Sequence, residues 1–180
     1  LDKKIDGLII SPINSSTAAT LLEIAKINNI PVVIADIGSN SKDYVSFISS
    51  DNKKGAYELG KILAKHMKNL SWNKEGTVGI ISIPQKRTNG KDRTLGFIQA
   101  LDEESIKVSG FYQQVDFSYE ETYNYSKKLI EENKNLRAIW LQGSDKYKGA
   151  LDAIKEANKQ KEIALICFDA EPEFLEMIQN

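Results

Sequence analysis

The sequence predicts an α/β fold of parallel sheets flanked by helices, and three observations carry that prediction. Short apolar runs such as residues 30–35 and 163–168 lack in-out alternation, as strands covered by helices on both faces do. Strand-like and helix-like segments alternate from end to end, the pattern of strand–helix–strand units. The run at 30–35 closes on Asp36, and open α/β sheets bind ligands just beyond the carboxyl ends of their strands.

Taken in order, residues 5–10 read as a first buried strand. Residues 11–16 supply a turn with hydroxyl N-caps, and a helix starts near Ser16 with Ala18, Leu21, Leu22, Ile24 and Ala25 at helical spacing. Asn28 and Asn29 end it before the strand at 30–36. Residues 44–49 alternate as a strand does. Ser50, Asp51 and Asn52 then cap a helix that carries Ala56, Leu59, Gly60, Leu63 and Met67 on one face. Residues 77–83 form a strand closed by Pro84. The polar stretch 85–93, with Asn89-Gly90 inside it, reads as a long loop at a strand's carboxyl end. A helix with Leu95, Phe97, Ile98 and Leu101 follows. Residues 106–115 are a strand, 119–132 a helix, 137–141 a strand, 147–157 a helix and 163–168 the last strand, and Pro172 opens a final helix at its first turn.

Composition narrows the function. The chain has 180 residues, 41% hydrophobic and 27% charged, with a formal net charge of −1. Its Lys and Asp/Glu residues are interspersed, so no basic stripe points to nucleic acid. The single cysteine, Cys167, sits in an apolar run and reads as a small core hydrophobe. No apolar run approaches a membrane span, and no signal peptide is visible. The chain opens at Leu1 without a methionine, which suggests a preceding segment.

Chemistry-bearing motifs are sparse. There is no glycine-rich dinucleotide or phosphate loop. His66, the one histidine, lies at a helix end and reads as a solvated imidazole. With one histidine and one cysteine, neither a nucleophile–base pair nor a nitrogen/sulfur metal site can be assembled. No catalytic residue, metal ligand or cofactor is therefore expected. The acidic runs 102–104 and 131–132 read as solvated faces, and Trp140 as core. For Asp36 the residues alone leave two roles open, turn former or ligand contact.

Several segments in this order resemble periplasmic sugar-binding proteins of the ribose-binding group, whose core is shared with effector domains of lactose-repressor-type regulators. The resemblance is carried by residues 6–12, by 30–36, by Ser50-Asp51-Asn52 with Gly55, by Arg93 with Gly96-Phe97, by Asp116-Phe117, by Gly149-Ala150-Leu151 and by Phe168-Asp169. It implies the type I periplasmic-binding-protein fold, two Rossmann-like lobes with parallel sheets flanked by helices that close on a small ligand. Residues 1–50 would be part of the first (N-terminal) lobe and 51–180 most of the second. The opening strands of the first lobe and the last strand of the second would lie outside the chain, making it a fragment.

The resemblance also implies a site. Asp36 corresponds to the family's aspartate for sugar hydroxyls, Phe117 to the aromatic that stacks on the sugar ring, and Asp169 to the second-lobe aspartate. A carboxylate can accept two neighbouring hydroxyls, and an aromatic face covers the apolar side of a sugar. A core role for Phe117 remains equally open. Asn14, Arg87 and Lys91 complete the expected ligand-binding set, Asn89 is within reach of the cleft, and Arg93 is expected to tie its loop to its helix. Ile37, Lys91 and Gly143 stand where ribose binders carry arginine, arginine and asparagine. The implied function is an extracytoplasmic receptor for a sugar-like molecule, with no enzymatic step, that feeds an ABC permease or a membrane sensor histidine kinase. The alternative is the effector core of a lactose-repressor-type regulator.

Overall fold

The structure, a computed structural model, describes residues 4–144 and 146–179. The chain's opening at Leu1 lies outside the described residues. Two parallel sheets follow one another along the chain. The first contains β1 (Leu8–Ile10), β2 (Val32–Ala35) and β3 (Ser46–Ile48) in that spatial order. The second runs β5 (Lys107–Gln113), β4 (Thr77–Ser82), β6 (Leu136–Leu141), β7 (Ala164–Cys167), all parallel. Helices α1 (Ser15–Ile27), α2 (Asn52–Asn69), α3 (Thr88–Glu103), α4 (Tyr119–Glu132), α5 (Tyr147–Glu156) and α6 (Pro172–Gln179) alternate with the strands except between β2 and β3, which follow one another with no helix between them, so the expected end-to-end alternation is corrected there.

The second sheet is sandwiched. Val78 and Ile80 of β4 and Ala138 and Trp140 of β6 face α2 and α3, where Met67, Phe97 and Leu101 complete one core. Ile81 and Ile139 face the other way, onto Leu129 of α4 and Ala150 and Ile154 of α5. Two-sided burial is why β4 and β6 read as continuous apolar runs. Trp140 stacks on Phe97 at 3.8 Å and 14°, inside the core as expected. Cys167 packs at the edge of the second core, and burial pushes its thiol up to about 12.

Helices α2 and α3 meet closely because two positions carry no side chain. A Cβ on Gly96 would lie 2.0 Å from the Lys53 carbonyl oxygen, and one on Gly60 would lie 2.7 Å from the Ala100 Cβ.

The first sheet departs from expectation. Val32 and Ile34 pack on Leu22 and Ala25 of α1, but Val33 and Ala35 on the opposite face are only half-buried. Every residue of β3 is exposed. Among the described residues α1 covers one face alone, so the reading of β2 as a strand covered on both sides is corrected. Local details differ too. The cap of α1 is an amide rather than a hydroxyl: Asn14 Oδ1 accepts from the backbone N–H groups of Ser16 (3.1 Å) and Thr17 (2.9 Å).

The long loop expected over 85–93 is mostly helix, since α3 begins at Thr88. Gly90 makes this start possible: a Cβ there would lie 2.8 Å from Ile83 Cγ1 and 3.0 Å from the Pro84 carbonyl oxygen. The acidic run at 102–104 is not simply solvated. Glu104 accepts from the ammonium groups of both Lys61 and Lys68 on α2, and these two bonds pull its carboxyl down to about 2. His66 sits in the last turn of α2, edge-on to Trp72 at 6.1 Å.

Candidate functional site

The carboxyl ends of both sheets converge on one cavity of about 390 Å³. Its walls are built by residues that follow β2, β4, β5, β6 and β7, the position at which parallel sheets bind ligands.

Asp36 follows β2 with φ 67°, a left-handed conformation that Asp tolerates better than most residues. Its N–H donates to the Ile48 carbonyl (2.9 Å) and the next N–H, of Ile37, to the Ala35 carbonyl (2.9 Å). This sharp turn leaves the Asp36 side chain exposed at the cavity and buries Ile37, 6% exposed. Turn former and cavity wall are thus one residue.

Phe117, after β5, also has a left-handed backbone, φ 54°, which is costly for an aromatic residue. The Glu121 carboxylate offsets it by accepting the N–H groups of Val115 (2.7 Å), Asp116 (3.1 Å) and Phe117 (2.9 Å). Ser118 Oγ accepts the Glu121 N–H at 3.1 Å, so Ser118 caps α4 while the Glu121 side chain reaches back to the loop before it. The loop that carries Phe117 is therefore held at the helix entrance, and its half-buried ring lines the cavity. The Arg87 guanidinium lies 5.3 Å from the ring centroid.

Arg93 joins the elements below. Its Nε donates to Asn52 Oδ1 (2.9 Å), and its Nη1 to the Gln142 carbonyl and to Asp169 Oδ2 (3.2 Å). Its guanidinium lies 3.8 Å from the Phe168 ring centroid. Burial lowers its pKa, while Asp169 and, farther off, Asp36 oppose that shift; a guanidinium so placed stays cationic at neutral pH. The first turn of α3 bridges to the first sheet. Arg87 Nε donates to the Ile13 carbonyl (3.0 Å), Thr88 Oγ1 meets Ser15 Oγ (2.8 Å) and Asn89 Nδ2 reaches Asp36 Oδ1 (3.4 Å).

Of the residues expected from the sequence, Asp36, Arg87, Phe117 and Asp169 surround this cavity together. Asn14 and Lys91 are not among its lining residues. Asn14 spends its side-chain oxygen on capping α1. Lys91 points away because α3 has already begun: two residues beyond Asn89 it is rotated by roughly 200° about the helix axis, and it is exposed.

Asn89 and Arg93, four residues apart, share the cavity face instead. Lys146, Gln114 and Thr122 also line the cavity and carry no distinctive sequence signal. The loop that presents Phe117 did carry one, the Ser118-x-x-Glu121 capping pattern. The cavity thus offers carboxylates for hydroxyl groups, cationic donors, and an aromatic face, a combination suited to a small polyhydroxylated ligand.

Residues 1–180 match the family described as periplasmic binding protein domain. The chain is 27% identical over 175 residues to the ribose import binding protein RbsB of Haemophilus influenzae, covering 96% of this chain and 56% of that protein. It is 26% identical to the HTH-type transcriptional repressor PurR of Escherichia coli, over 93% of this chain and 48% of that one. The chain thus spans about half the length of these curated relatives. Among solved structures, the fructose binding periplasmic domain of a hybrid two component system superposes with a TM-score of 0.80 at 23% identity, over 95% of this chain and 55% of that one, which is a likeness of fold. No described helix is long and apolar enough to cross a membrane.

Proposed function

The chain belongs to the periplasmic binding protein domain family, and from that premise we propose that it is the ligand-binding part of an extracytoplasmic receptor for a neutral sugar. The observation that carries this reading is the single cavity at which Asp36 from one sheet and Asp169 and Phe117 from the other converge. Residues 1–50 act as part of one lobe and 51–180 as most of another, with the ligand between them. Asp36 and Asp169 accept sugar hydroxyls, Phe117 covers the apolar ring face, and Arg87 donates from above that ring. Binding is followed by delivery and not by chemistry.

The partner is an ABC permease or a membrane sensor histidine kinase. The ribose import relative supports the first output, and the likeness to a two-component periplasmic domain is consistent with the second. The match to a transcriptional repressor keeps a regulator's effector core as the second reading. Calorimetric titration of the full-length protein with D-ribose, D-allose, D-galactose and D-fructose tests the sugar reading. Saturable heat with at least one of them is expected, and no heat with any would overturn it.

A further inference from the structure

We propose that Asn89 and Arg93, one turn apart on the cavity face of α3, are positioning residues that hold the two ligand carboxylates, Asp36 and Asp169, from a single rigid element. The role given to the carboxylates rests on the sugar-binding reading; the positioning itself does not. Asn89 is 6% and Arg93 9% exposed, so both side chains are confined by packing. Asn89 Oδ1 accepts the Gly90 N–H at 2.8 Å, which fixes the amide plane and turns Nδ2 outward, 3.4 Å from Asp36 Oδ1.

Arg93 is confined by its bonds to Asn52 and the Gln142 carbonyl and by the Phe168 ring beneath it. What remains of Nη1 meets Asp169 Oδ2 at 3.2 Å. Residues four apart on a helix lie on one face, so the distance between the two donors is set by helix geometry. The two carboxylates follow strands of different sheets, Asp36 after β2 and Asp169 after β7. Each therefore takes its place by reference to the same helix, and a movement of α3 re-aims both together.

The test uses the ligand-free full-length protein and follows the carboxylate carbon resonances of Asp36 and Asp169 by NMR. Asn89→Ala is expected to displace the Asp36 resonance and leave that of Asp169, and Arg93→Lys to do the reverse. Either carboxylate unmoved by its own partner's substitution, or both moved alike by either substitution, would overturn the proposal. If Arg93→Lys does not fold, Asp169→Asn replaces it, read on the Arg93 side-chain nitrogen resonances. Displacement there supports the pairing and no displacement overturns it.

Titration with the same four sugars then separates two failures. Each substitution is expected to weaken binding about tenfold, the loss of one oriented hydrogen-bonding group. A variant with a displaced carboxylate but unchanged affinity removes the positioning role. A parent protein that binds none of the sugars removes the sugar reading, while the resonances still decide the pairing.

Discussion

At the scale of single residues, the side chains fall into those that face the cavity and those that hold others in place. Asp36 is exposed and packs against no core, so Asp36→Ala is expected to leave the protein folded, at a cost of about 1–2 kcal/mol for alanine in the left-handed backbone at φ 67°. Each charge-assisted hydrogen bond contributes roughly 1.5–3 kcal/mol, and loss of two would weaken sugar binding by about 10² to 10⁴. An unchanged dissociation constant in calorimetry would confine Asp36 to its turn. Glu104 allows a pH prediction. Its folded carboxyl is depressed from 4.5 to about 2 by Lys61 and Lys68, so its contribution is present above the ordinary value and lost as pH falls toward about 2. Urea unfolding should show Glu104→Gln less stable than the parent at pH 7, with the difference shrinking between pH 4.5 and 2. A gap independent of pH would assign the effect to packing. Cys167, with its thiol pushed up to about 12, should react with iodoacetamide at pH 8 only slowly until the protein is denatured. Rapid alkylation of the native chain would contradict its burial.

At the scale of elements, the contact between α2 and α3 sets the position of the site, because α3 carries Asn89 and Arg93 and follows directly on its N-cap Arg87. That contact depends on Gly96, whose missing side chain lets the helix approach the Lys53 carbonyl. Gly96→Ala must displace backbone, not a flexible side chain, and should cost about 1–3 kcal/mol. Leu95 is half exposed at the next position, and Leu95→Ala should stay within roughly 0.5 kcal/mol, as surface substitutions do. Equal effects in urea unfolding would mean that the helices separate easily. At α4 the pair Ser118 and Glu121 serves two purposes at once. It satisfies the Glu121 N–H in the helix's first turn and holds Phe117 in a backbone conformation that an aromatic residue rarely adopts.

At the scale of the whole molecule, the two sheets differ in how completely they are covered. The second has helices on both faces. The first exposes Ile9 at 76% and Ile48 at 64%, which pair with Val33 and Ala35 on the face opposite α1. A contiguous apolar face of this kind attracts another surface. Residues 1–180 produced alone are therefore expected to sediment as oligomers, and Ile9→Lys with Ile48→Lys should shift them toward monomer. A monomer without those substitutions would show that the face is tolerated bare. The sheets communicate through the first turn of α3, where Arg87, Thr88 and Asn89 each reach a residue of the first unit.

The order and type of every element were legible in the sequence because they rest on local periodicity: α4 falls on residues 119–132 as the spacing predicts, and Asp51 caps α2. The resemblance singled out Asp36, Phe117 and Asp169, and the structure brings all three to the cavity wall. The start of α3 was not legible. Asn89-Gly90 has the local signature of a turn, yet it lies in the first turn of α3, where the missing side chain of Gly90 admits a close approach to Ile83 and the Pro84 carbonyl. That one shift, made by contacts remote from the backbone's own preferences, carries Lys91 away from the cavity and brings Arg93 and Asn89 to it. The same holds for Ile37, which the resemblance sets in the place of an arginine. The turn at Asp36, drawn tight by hydrogen bonds to β3 and β2, points its side chain inward. Sequence periodicity determines which residues form strands and helices; where Asp36, Asn89 and Arg93 face is decided in the tertiary structure, by the hydrogen bond from Asp36 to β3 and by the packing of α3 on its neighbours.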